Sequence, residues 1–292
     1  MASAELRDTR RRIRSVLATQ KITRAMELIA ASRIPKANAR VTASKPYTAK
    51  LIEVIQNLGA GGAGSSHILL ERRDPQTVGV VVVSSDRGLA GAYASTIIRM
   101  AEQRIIDLRR EGKQIRIFAV GKKAQAYFRY RGYRIERVFL GVTDTPGYGD
   151  ARALGDAVMG TFASGQIDAV ETFFTRFQSA ASQKAISFEL LPIEQPAAGE
   201  GTSAVSYAYE PAPDEILDRL LPRYVEAILF NMLLEASASE HAARRRAMKA
   251  ATDNADDLIR TLTVSANRAR QAEITTEISE IVGGAEALAS AR

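Results

Sequence analysis

From Arg223 to Val282 the chain runs sixty residues without a glycine or a proline, the two residues that most disfavour helix. At 1.5 Å per residue a helix of that length spans about 90 Å. Such a rod points to mechanical work rather than catalysis. Its start is marked by Pro211 and Pro213 followed by Asp214 and Glu215, and Gly283-Gly284 is the first candidate for its end. Apolar residues recur at Ile216, Leu220, Tyr224, Ile228, Leu229, Met232 and Leu233. Alanines then crowd positions 236–255, where they let a neighbouring backbone come close. Leu258, Leu262, Ser265, Ala269 and Ala272 follow with coiled-coil spacing, and the phase shifts at Ile274, Ile278 and Ile281.

The opposite end reads as a second helix, residues 1–58, because residues 1–34 also lack glycine and proline. Pro35 and Pro46 predict a bend or break, since each lacks a backbone donor and crowds the preceding turn. Leu6, Ile13, Leu17 and Leu28 share one stripe, and Ile22, Met26 and Ile29 lie nearly opposite. Two apolar faces on one stretch predict that something encloses the helix there. Residues 1–60 carry a net charge of +8 and residues 214–292 a net −3, which suggests that the two arms meet. Beyond about 258, however, the first helix is expected to be too short to cover the seam, so an apolar tip needs another partner.

Between the arms, residues 59–74 read as a linker, with the run Gly59-Ala60-Gly61-Gly62-Ala63-Gly64 following a helix rather than a strand. Residues 75–206 alternate strand and helix signals, beginning with the β-branched run Val78–Val83, and predict an open, mostly parallel, Rossmann-like α/β domain. Residues 207–292 form the C-terminal arm. The fold class is therefore α/β with a long antiparallel coiled coil of the terminal helices. Ligands of such sheets lie beyond the carboxyl ends of the strands, here Ser84 to Gly91. Asp86 and Arg87 in that loop predict a turn or an internal salt bridge, because no G-x-G-x-x-G or G-K-[ST] accompanies them.

The composition removes several chemistries. The chain has no cysteine, hence no disulfide, thiolate metal site or cysteine nucleophile. His67 and His241 stand far apart, without a ligand cluster, and are expected to be surface or cap residues. There is no G-x-S-x-G elbow. Catalytic, cofactor-binding and metal residues are accordingly expected to be none. No run of 18 apolar residues occurs and the N-terminal region lacks the apolar core of a secretory signal, so a cytosolic or membrane-face location is expected.

Three stretches carry a family resemblance. They are Lys21 to Ser32, Ser85 to Gly91, and Ser239 to Thr275 with its continuation Glu280 to Ala285. In these the chain resembles the gamma subunit of F-type ATP synthases, bacterial type, over essentially its whole length. The resemblance implies a non-catalytic rotor in the F1 central stalk, coupling ion-driven rotation of a c ring to conformational change at the catalytic beta subunits. It implies three alpha and three beta subunits, epsilon and the membrane c ring as partners, and a peripheral position on the cytoplasmic face of the cell membrane. No cofactor and no nucleic acid are implied, and contact with the membrane comes only through the complex. By match to the family pattern, Met26 lies near the moving lever of a beta subunit, and Arg270, Gln271 and Thr275 where the shaft meets a beta loop. Tyr207, Tyr209 and Glu210 match the foot on the c ring and epsilon. Ala90 stands where some relatives have cysteine, and Ala266 precedes Asn267 where an aromatic is common, which puts packing there in question.

Two rival classes stay open at this level. A pI near 9.7 and Arg10-Arg11-Arg12 would suit a nucleic-acid-binding protein, although no aromatic precedes Tyr47 to stack on bases. An enzyme using the central sheet as a nucleotide site is the other.

Overall fold

The computed structural model describes residues 4–60, 67–194 and 212–290. Its elements in order are α1 (Ala4–Ala60), a 3-10 turn at Ile68–Leu70, β1 (Thr77–Val83), α2 (Tyr93–Arg110), β2 (Gln114–Val120), α3 (Lys122–Tyr130), β3 (Ile135–Phe139), α4 (Tyr148–Ala163), β4 (Ala169–Phe177), β5 (Gln183–Leu191) and α5 (Pro213–Ser290). The chain forms two compact units, residues 30–244 and residues 1–29 with 245–292.

The unit of residues 30–244 is built on a five-stranded sheet of order β3-β2-β1-β4-β5. Strands β1 to β4 run parallel, and β5 returns antiparallel to β4 as a hairpin. Strand β1 is buried on both faces, as its unbroken valine run predicts. Val78, Val80 and Val82 face one core with Ile97, Ile105 and Leu108 of α2 and Phe128 of α3. Val81 and Val83 face the other, with Leu154 of α4, Leu221, Val225 and Leu229 of α5, and Leu51, Ile55 and Leu58 of α1. Period-two alternation along the strand thus assigns the helices to two layers. Within the expected linker, Leu69 is buried and its carbonyl accepts from Ile193, so this stretch packs on the core. His67 caps the 3-10 turn by accepting the Leu69 N–H, in line with its expected role.

Pro35 and Pro46 do not end α1, which runs through both. Both are exposed, while Ile34, Val41, Leu51 and Ile55 beside them are buried, so packing on the sheltered side offsets a propensity cost of about 3 kcal/mol per proline. Sheltered positions run the length of α1 at Leu6, Thr9, Ile13, Val16, Gln20, Thr23, Glu27, Ala30, Ile34, Ala37, Val41, Ser44, Thr48, Leu51, Ile55 and Leu58, with Asp8, Met26, Ala31, Arg33 and Ile52 half-buried at the edges. They follow an uninterrupted three-four spacing, a heptad seam. The stripe expected through Leu17 and Leu28 is corrected by this: both are exposed, because the seam passes instead through Thr9, Gln20, Thr23 and Glu27.

In the second unit the first part of α1 lies antiparallel to the last part of α5. Gln20 donates to Asp256, and the Thr23 and Thr252 hydroxyls lie 2.8 Å apart and buried. On α5 sheltered positions recur at Met248, Thr252, Ala255, Ile259, Leu262, Ala266, Ala269 and Glu273, again at four-three spacing, with Ala247 and Ala251 half-buried beside them. Leu258, Ser265 and Ala272 are exposed, so the expected seam kept Leu262 and Ala269 but was one residue out of phase elsewhere. The seam is covered well past 258, because an antiparallel register set by Thr23 and Thr252 brings Leu6 level with Ala269. Ala266 is buried at the position where an aromatic is common in the family.

Candidate functional site

Two regions carry chemistry that packing alone does not explain. The first is the surface of the coiled-coil unit. Ile22, Leu28 and Ile29 stand outward on α1, with Ile22 61% exposed, and Leu258, Val264, Ile274, Ile278, Ile281 and Val282 stand outward on α5. Arg11 and Arg12 pair with Asp8 on their own helix, and Lys249 with Asp253 and Arg260 with Asp257 on theirs, so these charges lie along the rods. Single exposed apolar residues are ordinary, but a series of them along both helices marks an interaction surface. Among the expected contact residues, Met26 is half-buried at the seam edge, and Arg270, Gln271 and Thr275 are exposed on one stretch of α5, where Thr275 Oγ1 donates to the Gln271 carbonyl at 2.9 Å. Tyr207, Tyr209 and Glu210 lie outside the described residues.

The second region lies at the carboxyl ends of β1 and β4, where sheets of this kind bind ligands. Here the crevice is filled by α5. Tyr93 Oη donates to the Ala236 carbonyl (3.1 Å), Ser239 Oγ to the Thr175 carbonyl (3.1 Å) and Arg244 to the Gly88 carbonyl (3.4 Å). Arg244 also pairs with Glu240, both buried. Two of the stretches that carry the family resemblance, Ser85–Gly91 and the segment beginning at Ser239, therefore meet in space. Burial pushes the Glu240 carboxyl up more than Arg244 draws it down, and it pushes the Tyr93 hydroxyl well up.

The loop around that crevice is held by its own turn chemistry. Asp86 accepts from the Lys122 N–H (3.1 Å) and from the Thr143 hydroxyl (3.1 Å), which confirms the turn reading of that residue. Gly121 has φ +92°, and a Cβ there would sit 2.8 Å from the Ser85 carbonyl carbon, so only glycine fits. Leu89 is exposed and adopts φ +62°, uncommon for a leucine.

The loop after β3, residues 143–146, was not singled out from sequence, and it is the hub of the region. Arg33 of α1 donates to both Asp144 oxygens (2.6 Å each), and Arg40, two turns on, donates to the Pro146 carbonyl. The Asp144 carbonyl accepts from Ser237 Oγ (2.9 Å) and faces His241 Nε2 (3.3 Å). Burial raises the Asp144 carboxyl, but Arg33, with His241 and Arg87 beyond it, holds it below the usual value. His241 corrects its expected place at the surface or a cap: it is buried, because α5 turns the face bearing Ser237, Glu240, His241 and Arg244 onto these loops. Burial lowers its pKa, and Arg244 and Arg33 act in the same direction against Asp144.

Among the described residues no group of three or more His, Cys, Asp or Glu could hold a metal. No described helix is long and apolar enough to cross a membrane. A separate cleft of about 330 Å³ beside β3 is lined by Glu136, Arg137, Asp156, Thr161 and Gln166, and Arg116 spans Glu136 and Gln166 next to it.

Comparison with known proteins agrees with this geometry. The family model described as "ATP synthase" matches residues 5–288. The ATP synthase gamma chain of Parafrankia sp. strain EAN1pec is 48% identical over 99% of both chains, and that of Mycolicibacterium smegmatis is 45% identical over 99% of this chain and all of its own. Among solved structures, a chain from the Euglena gracilis mitochondrial ATP synthase (OSCP/F1/c-ring, rotational state 3) superposes with a TM-score of 0.69 at 18% identity, covering 97% of this chain and 94% of its own. A chain of the rotor from the same source superposes at 0.64 with 18% identity, covering 92% of this chain and 98% of its own. At such identities the structures speak for the fold.

Proposed function

This chain belongs to the ATP synthase gamma subunit family, the central-stalk rotor of F1, and from that premise we propose how its residues do that work. The chain turns inside a ring of three alpha and three beta subunits, with epsilon and the c ring at its base. It holds no nucleotide and catalyses nothing itself; the chemistry belongs to beta. Its place is peripheral, on the cytoplasmic face of the cell membrane, through the complex, and proton flow is the drive.

The observation that carries the reading is the set of apolar side chains left outward on both helices of the coiled-coil unit. A shaft in water would not keep them; a shaft in a sleeve needs them. Rotation biases each beta subunit only if different faces of the shaft make contacts of different energy, since equal contact at every angle shifts nothing. The uneven spacing of Ile22, Leu28 and Ile29 on one helix and Leu258, Val264 and Ile274 on the other supplies such unequal faces. In this reading Met26 meets the beta lever, Arg270, Gln271 and Thr275 meet a beta loop, and Tyr207, Tyr209 and Glu210 form the foot on the c ring and epsilon. The filled crevice at the ends of β1 and β4 supports the absence of a nucleotide role. Removing residues 272–292 from the assembled complex is the test. Proton-driven synthesis is expected to fall, and full synthesis would refute the role given to the tip.

A further inference from the structure

We infer that the loop 143–146, with Asp144 at its centre, is the torsional joint that makes α1, α5 and the α/β domain turn as one body. The inference rests on the rotor reading. At this level α5 presents two faces to its surroundings. Leu234, Ala238 and Ala242 pack with Ile34 and Val41 of α1 in a small apolar cluster. Apolar contacts of this kind are non-directional, so they set the distance between the helices more firmly than the angle of one against the other.

The other face is polar and directional. Ser237, Glu240, His241 and Arg244 follow i, i+3, i+4, i+7 spacing, which aligns them along one side of a helix. Ser237 and His241 reach the Asp144 carbonyl, and Arg244 reaches the Gly88 carbonyl while paired with Glu240. From α1, Arg33 Nη1 donates to both oxygens of the Asp144 carboxylate and Arg40 reaches the Pro146 carbonyl. Thr143, the neighbour of Asp144, is itself tied to Asp86 at the end of β1. One short loop therefore receives bonds from α1, α5 and the sheet. The Arg33 contact is charge-assisted, one guanidinium nitrogen shared between both carboxylate oxygens, and such bonds are stronger than neutral ones. Because these bonds approach from several directions, rotation of any one element strains at least one of them.

Asp144 is thus a positioning residue, touching none of the reacting groups, whose loss is expected to let torque leak between base and shaft. The test uses the assembled, membrane-reconstituted complex, reading protons pumped per ATP hydrolysed. Asp144→Ala is expected to lower that ratio about tenfold, the scale on which residues remote from ligand sites alter coupling. Asp144→Asn, which keeps shape without charge, should fall between. Ile98→Val, in the core on the α2 face of the sheet, is the control for general softening and should keep the native ratio. If Asp144→Ala does not assemble, Arg40→Gln and Ser237→Ala each remove one bond and should lower the ratio about threefold. An unchanged ratio in the assembled variants, or an equal fall in Ile98→Val, overturns the joint. Failure of the native complex to pump at all would instead overturn the rotor reading.

Discussion

Helix α5 is one helix with two kinds of surface. From Tyr224 to Arg244 every residue is buried or half-buried, whichever way it points. From Arg245 to Val282 shelter is confined to one seam, while Leu258, Val264, Ile274, Ile278, Ile281 and Val282 stay outward. The first stretch nevertheless contains Glu226, Glu235, Glu240, His241 and Arg244, and the second leaves isoleucines in water. Composition agrees with the burial of the first stretch, which is the more apolar, but it explains neither the buried charges there nor the exposed isoleucines of the second. The difference teaches that the first is finished within this chain, each of these ionisable side chains bonded to at least one neighbour, whereas the second becomes complete only when other subunits surround it. Glu226 illustrates the first case, accepting from Tyr148 Oη (2.5 Å) with Arg223 at 3.5 Å.

This contrast can be broken at its strongest point by Arg244→Ala. Losing one partner of a buried ion pair leaves the Glu240 charge uncompensated, an expected cost of about 3–5 kcal/mol in denaturant unfolding of the full chain. A cost near zero would mean that the 224–244 stretch is not closed as described.

Next in size is Thr23→Val in the seam, which takes one partner from the Thr252 hydroxyl while its bond to the Met248 carbonyl stays, and should cost about 1 kcal/mol. Replacing both threonines by valine should recover most of that loss. A double variant that is merely additive would show that the hydroxyls act separately.

A smaller effect is expected from pH. His241 has a lowered pKa in the fold, so as pH falls through 6.5 the unfolded chain takes up a proton that the folded chain resists. Stability should therefore fall with acidification in that window. Glu240, raised by burial, works oppositely as pH falls from its folded pKa toward 4.5. Between pH 7 and 6 the decline should be shallower in His241→Asn than in the native chain; equal slopes would remove His241 as its source.

The smallest effect belongs to the outward surface. Ile278→Ala should change the stability of the free chain by no more than about 0.5 kcal/mol, since it is already exposed. A larger loss would mean that the tip is packed within this chain after all.

Much of this was legible in the sequence. Strand β1 announced itself by consecutive valines, and α5 by sixty residues free of glycine and proline. The seam was harder to read, because six of its sixteen positions on α1 are not apolar: Thr9, Gln20, Thr23, Glu27, Ser44 and Thr48 occupy slots that a hydrophobic stripe would skip. The same held for α5, where Thr252 and Glu273 are sheltered and Leu258 is not. Asp144 gave no signal, since an acidic residue in a Pro- and Gly-containing loop reads as a turn. Its role exists only through residues more than ninety positions away, Arg33 on one side and Ser237 and His241 on the other. Local pattern found the elements; long-range polar pairing had to be seen.

The absence of cysteine makes one measurement especially direct, because any introduced cysteine is a unique label. Single cysteines at Ile22, Leu28, Ile274 and Ile278 would be reacted with a maleimide in the free chain and again after assembly with alpha and beta subunits. The account predicts ready labelling of all four in the free chain and strong protection, about tenfold or more in rate, in the assembly, as expected when an exposed side chain enters a desolvated interface. Equal labelling before and after assembly would contradict the claim that this surface works inside a sleeve.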